Sequence, residues 1–381
     1  MRICLVYDCL YPYTVGGAER WYRNLGERLA TTAHDVTYLT LRQWADHESA
    51  TVAGVRVVAV GPRFDLYASS GRRRIWPALR FGFGVFFHLF RHGRRYDIVH
   101  TAATPFFALA AIGVLRRRRG YRVIVDWHEV WTRSYWQQYL GRVLGWVAWR
   151  IQRACTRIRH RAFCFSRLHA RRLRAEGYPG EPTVLEGEYV GPTDPPPPAP
   201  ADPVVVYAGR HIPEKRVPAL VRALGVARER AGELRCVIFG DGPERPEVLR
   251  LIAELGLGDA VEAPGFVDGE RVDEALRRAL CLALPSQREG YGLVVVEAAA
   301  RGTPSIVVAG EDNAAVELVE DGVNGVIAPS AQPADLAAAI LEVHGAAGAM
   351  RASTAEWFAR NARRLSLDSS LETVLGAYTR G

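Results

Sequence analysis

Apolar runs of strand length alternate with helix-length amphipathic segments along the whole chain. The runs ICLVY (3–7), VTYL (36–39) and VRVVAV (55–60) come first, with a helical pattern at 18–30 after the first of them. Further strands are expected at 98–100, 122–126 and 162–165, and helices near 75–91, 104–116, 136–159 and 167–176. Short apolar strands separated by helices predict a parallel sheet with helices on its faces. Residues 194–203 then read DPPPPAPADP, which is short of N–H donors and prefers extended geometry, so a semi-rigid linker is expected. The alternation restarts with strands at 204–209, 235–240, 261–263, 281–285 and 304–308, and helices near 216–230, 244–255, 270–279, 291–301 and 333–343. The pattern predicts an α/β chain of two Rossmann-like, doubly wound domains, 1–192 and 204–356, about a linker at 193–203. Residues 357–381 are expected to form a helix that can pack back on the first domain. Ligands of open α/β sheets bind beyond the carboxyl ends of the strands, so function is sought in an interdomain cleft.

Length supports this division, since 381 residues at 49% hydrophobic exceed one ordinary core. The longest apolar stretch, 75–90, is interrupted by Arg80 and bounded by arginines, too short and too charged to span a bilayer. The chain opens on a strand-like run with no basic region or small-residue cleavage site, so a cytoplasmic protein is expected, with a peripheral contact on the inner membrane face left open. Six cysteines include no C-x-x-C pair and read as reduced, buried thiols. Charge is divided unevenly: residues 1–190 hold 30 arginines against 14 acidic residues, a net +16, and the remainder a net −8. The arginines cluster at 72–74, 91–95, 116–119 and 150–174, a pattern open to an anionic acceptor, a membrane, nucleic acid, or simple solvation. Of the 49 basic residues only Lys215 is a lysine, so this position is a candidate for a compact ammonium.

The most informative segment is PSQREGYGLVVVEAAARGTPSIVV at 285–308. A strand ends, a glycine-rich turn follows, and a helix is expected to carry Glu289 and Glu297, a little over two turns apart. Backbone N–H groups of Tyr291, Gly292, Leu293 and Val294 at the helix start suit a diphosphate. The two carboxylates can then reach hydroxyls on either side of it.

E-G-Y-G-L-x-x-x-E followed by A-x-x-x-G-T-P resembles the signature of family 4 glycosyltransferases with the GT-B fold. Four further segments carry the same resemblance in order: Gly16-Gly17-Ala18-Glu19 after the first strand, Gly209-Arg210 with Lys215, the turn Gly240-Asp241-Gly242-Pro243, and Glu317 through Asn324-Gly325. It spans nearly the whole chain, and its specificity lies in the order and spacing of the five motifs. The resemblance implies that Arg210 and Lys215 hold the donor diphosphate, Glu297 the ribose, and Glu289 with Gly290 the donor sugar. Gly16 and Gly17 would let backbone approach the phosphates. His128, in Val125-Asp126-Trp127-His128-Glu129, matches the family's active-site histidine and is assigned to the donor sugar. His100 is open between core and cleft. Asp126 and His128 share one side of a strand and Glu129 does not, and no Asp-x-Asp occurs, so neither metal nor other cofactor is expected beyond the nucleotide sugar co-substrate. Glu186-Gly187-Glu188-Tyr189 departs from the family's Asn-Gly-Val-Asp turn, so hinge contacts are not carried over. The aromatics Trp127, Trp131, Tyr135, Trp136 and Tyr139 either line an acceptor pocket or pack a helix.

Retention at the anomeric carbon is what the resemblance implies, and the leaving phosphate itself can take the acceptor proton. The acceptor is expected to be a hydroxyl of a phosphorylated sugar, a lipid or a natural product. Alternatives are a nucleotide-sugar epimerase of the same fold and an arginine-rich protein binding membrane or, less in keeping with the motifs, nucleic acid.

Overall fold

In the computed structural model, residues other than 33, 46–49, 69–72, 195–198 and 380–381 are described. Arg72, positions 195–198 of the expected linker and the last two residues of the expected terminal helix lie outside the described residues. The chain divides into two compact units: Met1–Ala68, Arg72–Glu186 and Ser370–Gly381 form the first, and Ser69–Gly71 with Gly187–Ser369 the second.

The first unit is built on strands β1 (Arg2–Val6), β2 (Asp35–Leu41), β3 (Val55–Gly61), β4 (Ile98–Ala102), β5 (Arg122–Trp127), β6 (Arg161–Cys164) and β7 (Thr183–Val184). They lie in the order β3-β2-β1-β4-β5-β6-β7, every pair parallel. Parallel sheets are covered on both faces, and the central strand complies: Ile3, Cys4, Leu5 and Val6 are all buried. Around it run α1 (Gly17–Thr31), α2 (Ile75–His92), α3 (Phe106–Arg119), α4 (Arg133–Leu140), α5 (Arg142–Thr156) and α6 (Arg167–Ala175). The single helix expected over 136–159 is in fact two. Gly141 adopts φ 84, a left-handed turn that favours glycine, and α5 folds back so closely that a Cβ on Gly145 would lie 2.3 Å from the Trp136 carbonyl oxygen. Trp131 packs on Tyr135, Trp136 and Tyr139 at ring separations of 4.4 to 5.1 Å, and Gln152 of α5 ties this cluster across the hairpin, accepting from the Trp131 N–H and the Trp136 indole and donating to the Trp131 carbonyl.

The second unit contains β8 (Val204–Ala208), β9 (Arg235–Phe239), β10 (Val261–Gly265), β11 (Cys281–Leu284), β12 (Ser305–Val308) and β13 (Gly325–Ala328) in the order β10-β9-β8-β11-β12-β13, again all parallel. Strands β7 and β13, two and four residues long, are not among those expected from the sequence. Helices α7 (Val217–Arg228), α8 (Arg245–Glu254), α9 (Gly269–Arg278), α10 (Leu293–Ala299) and α11 (Pro333–Leu365) follow, and α12 (Leu367–Thr379) closes the chain.

Helix α11 is three times the length expected, unbroken from 333 to 365. Its middle is fixed by Arg351, whose buried guanidinium donates to the carbonyls of Ala199, Arg277, Ala279 and Arg301 and to the Thr303 hydroxyl, at 2.7 to 3.1 Å. Arg277 and Ala279 end α9, so one cation meets helix-terminal carbonyls that would otherwise lack donors. The departure at 186–189 has a local explanation. Tyr189 pairs with the chain at Leu365 and Leu367, and a Cβ on Gly187 would lie 2.0 Å from the Ser366 oxygen.

His160 supplies a test of packing in the first unit. Trp127 Nε1 donates to its Nε2 at 3.1 Å, which leaves the proton on Nδ1, 2.5 Å from the Ile158 carbonyl. Burial lowers its pKa from 6.5 to about 4. Below 6.5 the unfolded chain therefore takes up a proton that the folded one refuses, and stability is lost as pH falls from 6.5 towards 4. Calorimetric melting at pH 7 and pH 5 is expected to show a lower melting temperature at pH 5, with a smaller difference in His160→Gln.

Candidate functional site

In the second unit the strand order reverses between β8 and β11. The loops leaving their carboxyl ends run to opposite sides, which opens a crevice at this switch point. The segments that emerge there are 209–216 and 285–292. Arg210 is exposed at the end of β8, its carbonyl accepting from the buried Tyr207 hydroxyl at 3.0 Å. A 3₁₀ turn at Pro213–Lys215 follows. Arg216 then takes φ 52, the one positive φ among described non-glycine residues, to turn into α7. Such a conformation costs of order 1 kcal/mol and is held only where surrounding contacts impose it.

That turn places Lys215 Nζ 2.5 Å from Glu289 Oε1, both side chains largely withdrawn from solvent. The backbone joins the same two loops, Gln287 N donating to Glu214 O at 2.8 Å. Glu289 is not helical, contrary to expectation. Its N–H meets the Asp312 carbonyl and its carbonyl accepts from Ala314 N, a bridge to Asn313, and α10 begins only at Leu293 because Gly292 turns with φ 101. A Cβ on Gly292 would lie 2.7 Å from that of Ala315. The first turn of α10 thus contains Leu293 and Val294, with Tyr291 and Gly292 leading in and Glu297 half-buried further along. N–H groups of a first helical turn have no partner within the helix.

Two residues not anticipated from sequence organise this loop. Asn313, buried, donates to the Ser286 and Val308 carbonyls and accepts from Ala315 N. His211, also buried, joins the second motif to the third: its N–H donates to Asp241 O at 2.8 Å and its carbonyl accepts from Glu244 N at 2.9 Å. Gly240 and Gly242 make that contact sterically possible, since added Cβ atoms would fall 1.9 Å from Gly209 O and 2.4 Å from His211 O. The polar sequence around Asn313 was the available signal; nothing local marked His211 as more than a loop residue. The neighbouring Glu244 carboxyl is raised above its ordinary range by burial and by the charges of Glu214 and Glu247.

In the first unit, Gly16 and Gly17 open α1. Trp21 of that helix donates its indole N–H to Asp126 Oδ2 at 2.8 Å, and His100 Nε2 meets Oδ1 at 2.8 Å. His100 Nδ1 lies 2.5 Å from the Tyr378 hydroxyl. His100 is therefore a core residue, fully buried with both ring nitrogens engaged. Burial would raise the Asp126 carboxyl, yet the imidazoles of His100 and His128 and the Trp21 N–H hold it below its ordinary value. His128 follows β5, stacked on Phe165 at 4.3 Å. Its ring is half-buried, and its Nε2 is out of solvent with no protein partner. Burial lowers its pKa against the opposing pull of Asp126 and Glu129, so the ring is a neutral donor or acceptor near pH 7. Among the described residues no group of three or more His, Cys, Asp or Glu is assembled to hold a metal ion.

Comparison with known proteins gives matches along most of the chain. The family model described as Glycosyl transferase 4-like domain matches residues 16–186, and that described as Glycosyl transferases group 1 matches 194–363. Alpha-D-kanosaminyltransferase of Streptomyces kanamyceticus is 33% identical over 138 residues, 36% of this chain and 35% of that protein. The aligned part thus spans about a third of the relative's length. Among solved structures, sucrose-phosphate synthase from Thermosynechococcus elongatus superposes with TM-score 0.80 at 19% identity, covering 99% of this chain and 98% of that one. The Anabaena protein HepE, in complex with UDP and glucose, gives 0.75 at 17% identity with 100% of both covered. The fold is GT-B.

Gly240→Ala is expected to destabilise the second unit by at least about 2 kcal/mol, because the methyl meets backbone at a positive φ. Chemical denaturation measures this. Gly256→Ala, where nothing lies within 4 Å of the added atom despite φ 63, is the comparison and is expected to cost less.

Proposed function

The chain belongs to the group 1 and 4-like glycosyltransferases, and from that premise we propose that it moves a sugar from a nucleoside diphosphate sugar to an acceptor hydroxyl with retention at the anomeric carbon. The observation that carries the proposal is the Lys215–Glu289 pair at the switch point of the second sheet. A cation and a carboxylate 2.5 Å apart suit the two ends of one short ligand segment, a phosphate and the hydroxyls of the sugar attached to it.

Arg210 and Lys215 hold the diphosphate in this proposal, with backbone N–H groups of Tyr291, Gly292, Leu293 and Val294 beside it. Glu289 and Gly290 meet the donor sugar and Glu297 the ribose. Gly16 and Gly17 supply further backbone to the phosphates, and His128 serves the donor sugar through its neutral ring. As the bond from the anomeric carbon to the phosphate oxygen breaks, negative charge gathers on the diphosphate. Fixed cations stabilise that charge without reorganising. The acceptor oxygen bonds to the anomeric carbon on the face the phosphate leaves, and its proton passes to the departing phosphate oxygen, giving a glycoside and a nucleoside diphosphate. Neutralisation is assigned to the two cations, with no divalent ion or other cofactor. Six buried cysteines, none paired, support a reducing, cytoplasmic setting. Acceptors to be tried are sugar phosphates, lipid-linked sugars and natural products.

HepE, in complex with UDP and glucose, makes UDP the first nucleotide to test. Thermal shift with UDP, GDP, ADP and dTDP and their sugar conjugates is expected to single out one base. Lys215→Ala should weaken that ligand about ten- to a hundredfold, the equivalent of one lost charge-assisted contact. No shift with any nucleotide would remove the proposal. Proton NMR of the product is expected to show the donor's anomeric configuration; an inverted product sinks the same-face mechanism, and a free altered sugar would indicate epimerisation instead.

A further inference from the structure

Helix α2 buries one face and leaves another unused. Phe81, Val85 and Leu89 are fully buried, whereas Trp76, Phe83, Phe87 and Phe90 are 65, 57, 50 and 48% exposed. These four fall on one line along the helix together with Arg80, at intervals of three and four residues. Core packing accounts for the first set and not for the second. From Trp76 to Phe90 the stripe is about 21 Å long. No helix among the described residues is long and apolar enough to cross a membrane.

The helix that carries the stripe and the three that follow it hold charges of one sign. Helices α2, α3, α4 and α5 together carry ten arginines and no Asp or Glu. Between residues 66 and 175 the only acidic residues are Asp97, Asp126 and Glu129. Asp97 pairs with Arg2, Asp126 is buried, and Glu129 accepts from the Trp131 indole at 2.6 Å. Guanidinium groups also stand over the exposed rings themselves, Arg119 over Phe90 at 4.8 Å and Arg91 over Phe87 at 6.0 Å. Helix α3 packs against both α2 and α5, and α5 exposes Val143 and Leu144, 74 and 58% accessible. At the end of α3 a cavity of about 320 Å³ is lined by Arg116, Arg117, Tyr121 and Arg159.

We propose that this face of the first unit lies on an anionic phospholipid bilayer, with the α2 aromatics entering the headgroup boundary and the arginines meeting lipid phosphates. An aromatic stripe flanked by cations is what an in-plane interfacial helix requires. Basic residues near such a surface each strengthen binding severalfold. A second copy of the chain fits poorly, because a two-fold contact would set the same carboxylate-free patch against itself. Single-stranded nucleic acid would stack on aromatic rings, but the aliphatic Val143 and Leu144 offer it nothing. The proposal is independent of the transfer reaction.

Co-sedimentation of the full chain with vesicles tests it, using phosphatidylcholine alone and phosphatidylcholine mixed with phosphatidylglycerol. Binding to the mixed vesicles is expected to exceed binding to the neutral ones by about tenfold or more. The triple variant Phe83→Ser, Phe87→Ser, Phe90→Ser and the double variant Arg91→Glu, Arg94→Glu should each lose about tenfold or more while melting like the wild type. The double variant alters only exposed side chains and stands as the test if the triple does not fold. Failure of the wild type to sediment with anionic vesicles would overturn the proposal, as would binding that neither variant weakens. So would light scattering that shows a dimer which the serines convert to a monomer, or retention of single-stranded RNA in preference to the vesicles.

Discussion

Everything the second unit offers a ligand depends on the reversal of strand order between β8 and β11. In a parallel sheet each strand delivers its loop at the same edge, and neighbouring loops normally cross to helices on the same side. Where the order reverses they part, and the backbone there is uncovered. Lys215 and Glu289 come from the two loops that part, 74 residues distant in sequence, and their side chains close the gap with one ion pair. The supporting parts are steric as much as electrostatic. Glycines at 240, 242 and 292 stand where a Cβ would strike backbone or a neighbouring methyl group, and Asn313 holds the Glu289 loop through three hydrogen bonds. The backbone bond from Gln287 to Glu214 holds the two loops beside each other at this pair.

The first unit uses a different device. A buried carboxylate, Asp126, is satisfied by an indole N–H from α1 and an imidazole from β4, and that imidazole reaches on to Tyr378 of α12. Three segments remote in sequence are tied to the carboxyl end of β5, two residues before His128. An unpaired carboxylate there would cost several kcal/mol, so the network is complete or the packing changes. His128 is left as the residue at that end of the strand with a ring nitrogen uncommitted to protein.

Charge follows the same division of labour. The Lys215–Glu289 pair lies in the acidic part of the chain, its cation placed by a loop. The arginines are concentrated instead on helices of the first unit that hold no carboxylate.

Sequence by itself determined the alternation of strands and helices, the two parallel sheets and the order of the five motifs, because hydrophobic period and glycine-rich turns are local properties. Candidate residues such as Arg210, Lys215, Glu289 and Glu297 were legible for the same reason. Tertiary structure alone decided the rest. Helical periodicity cannot show that Gly141 takes a left-handed turn and divides one helix into two, or that Gly292 excludes Glu289 from α10, since those turns are imposed by what packs against them. Nor does an arginine in a helix announce that five acceptors will surround it, as they do Arg351. A hydrophobic pattern records which residues avoid water and not which neighbour covers them, and for α2 only the folded chain separates the face that is covered from the face that is not.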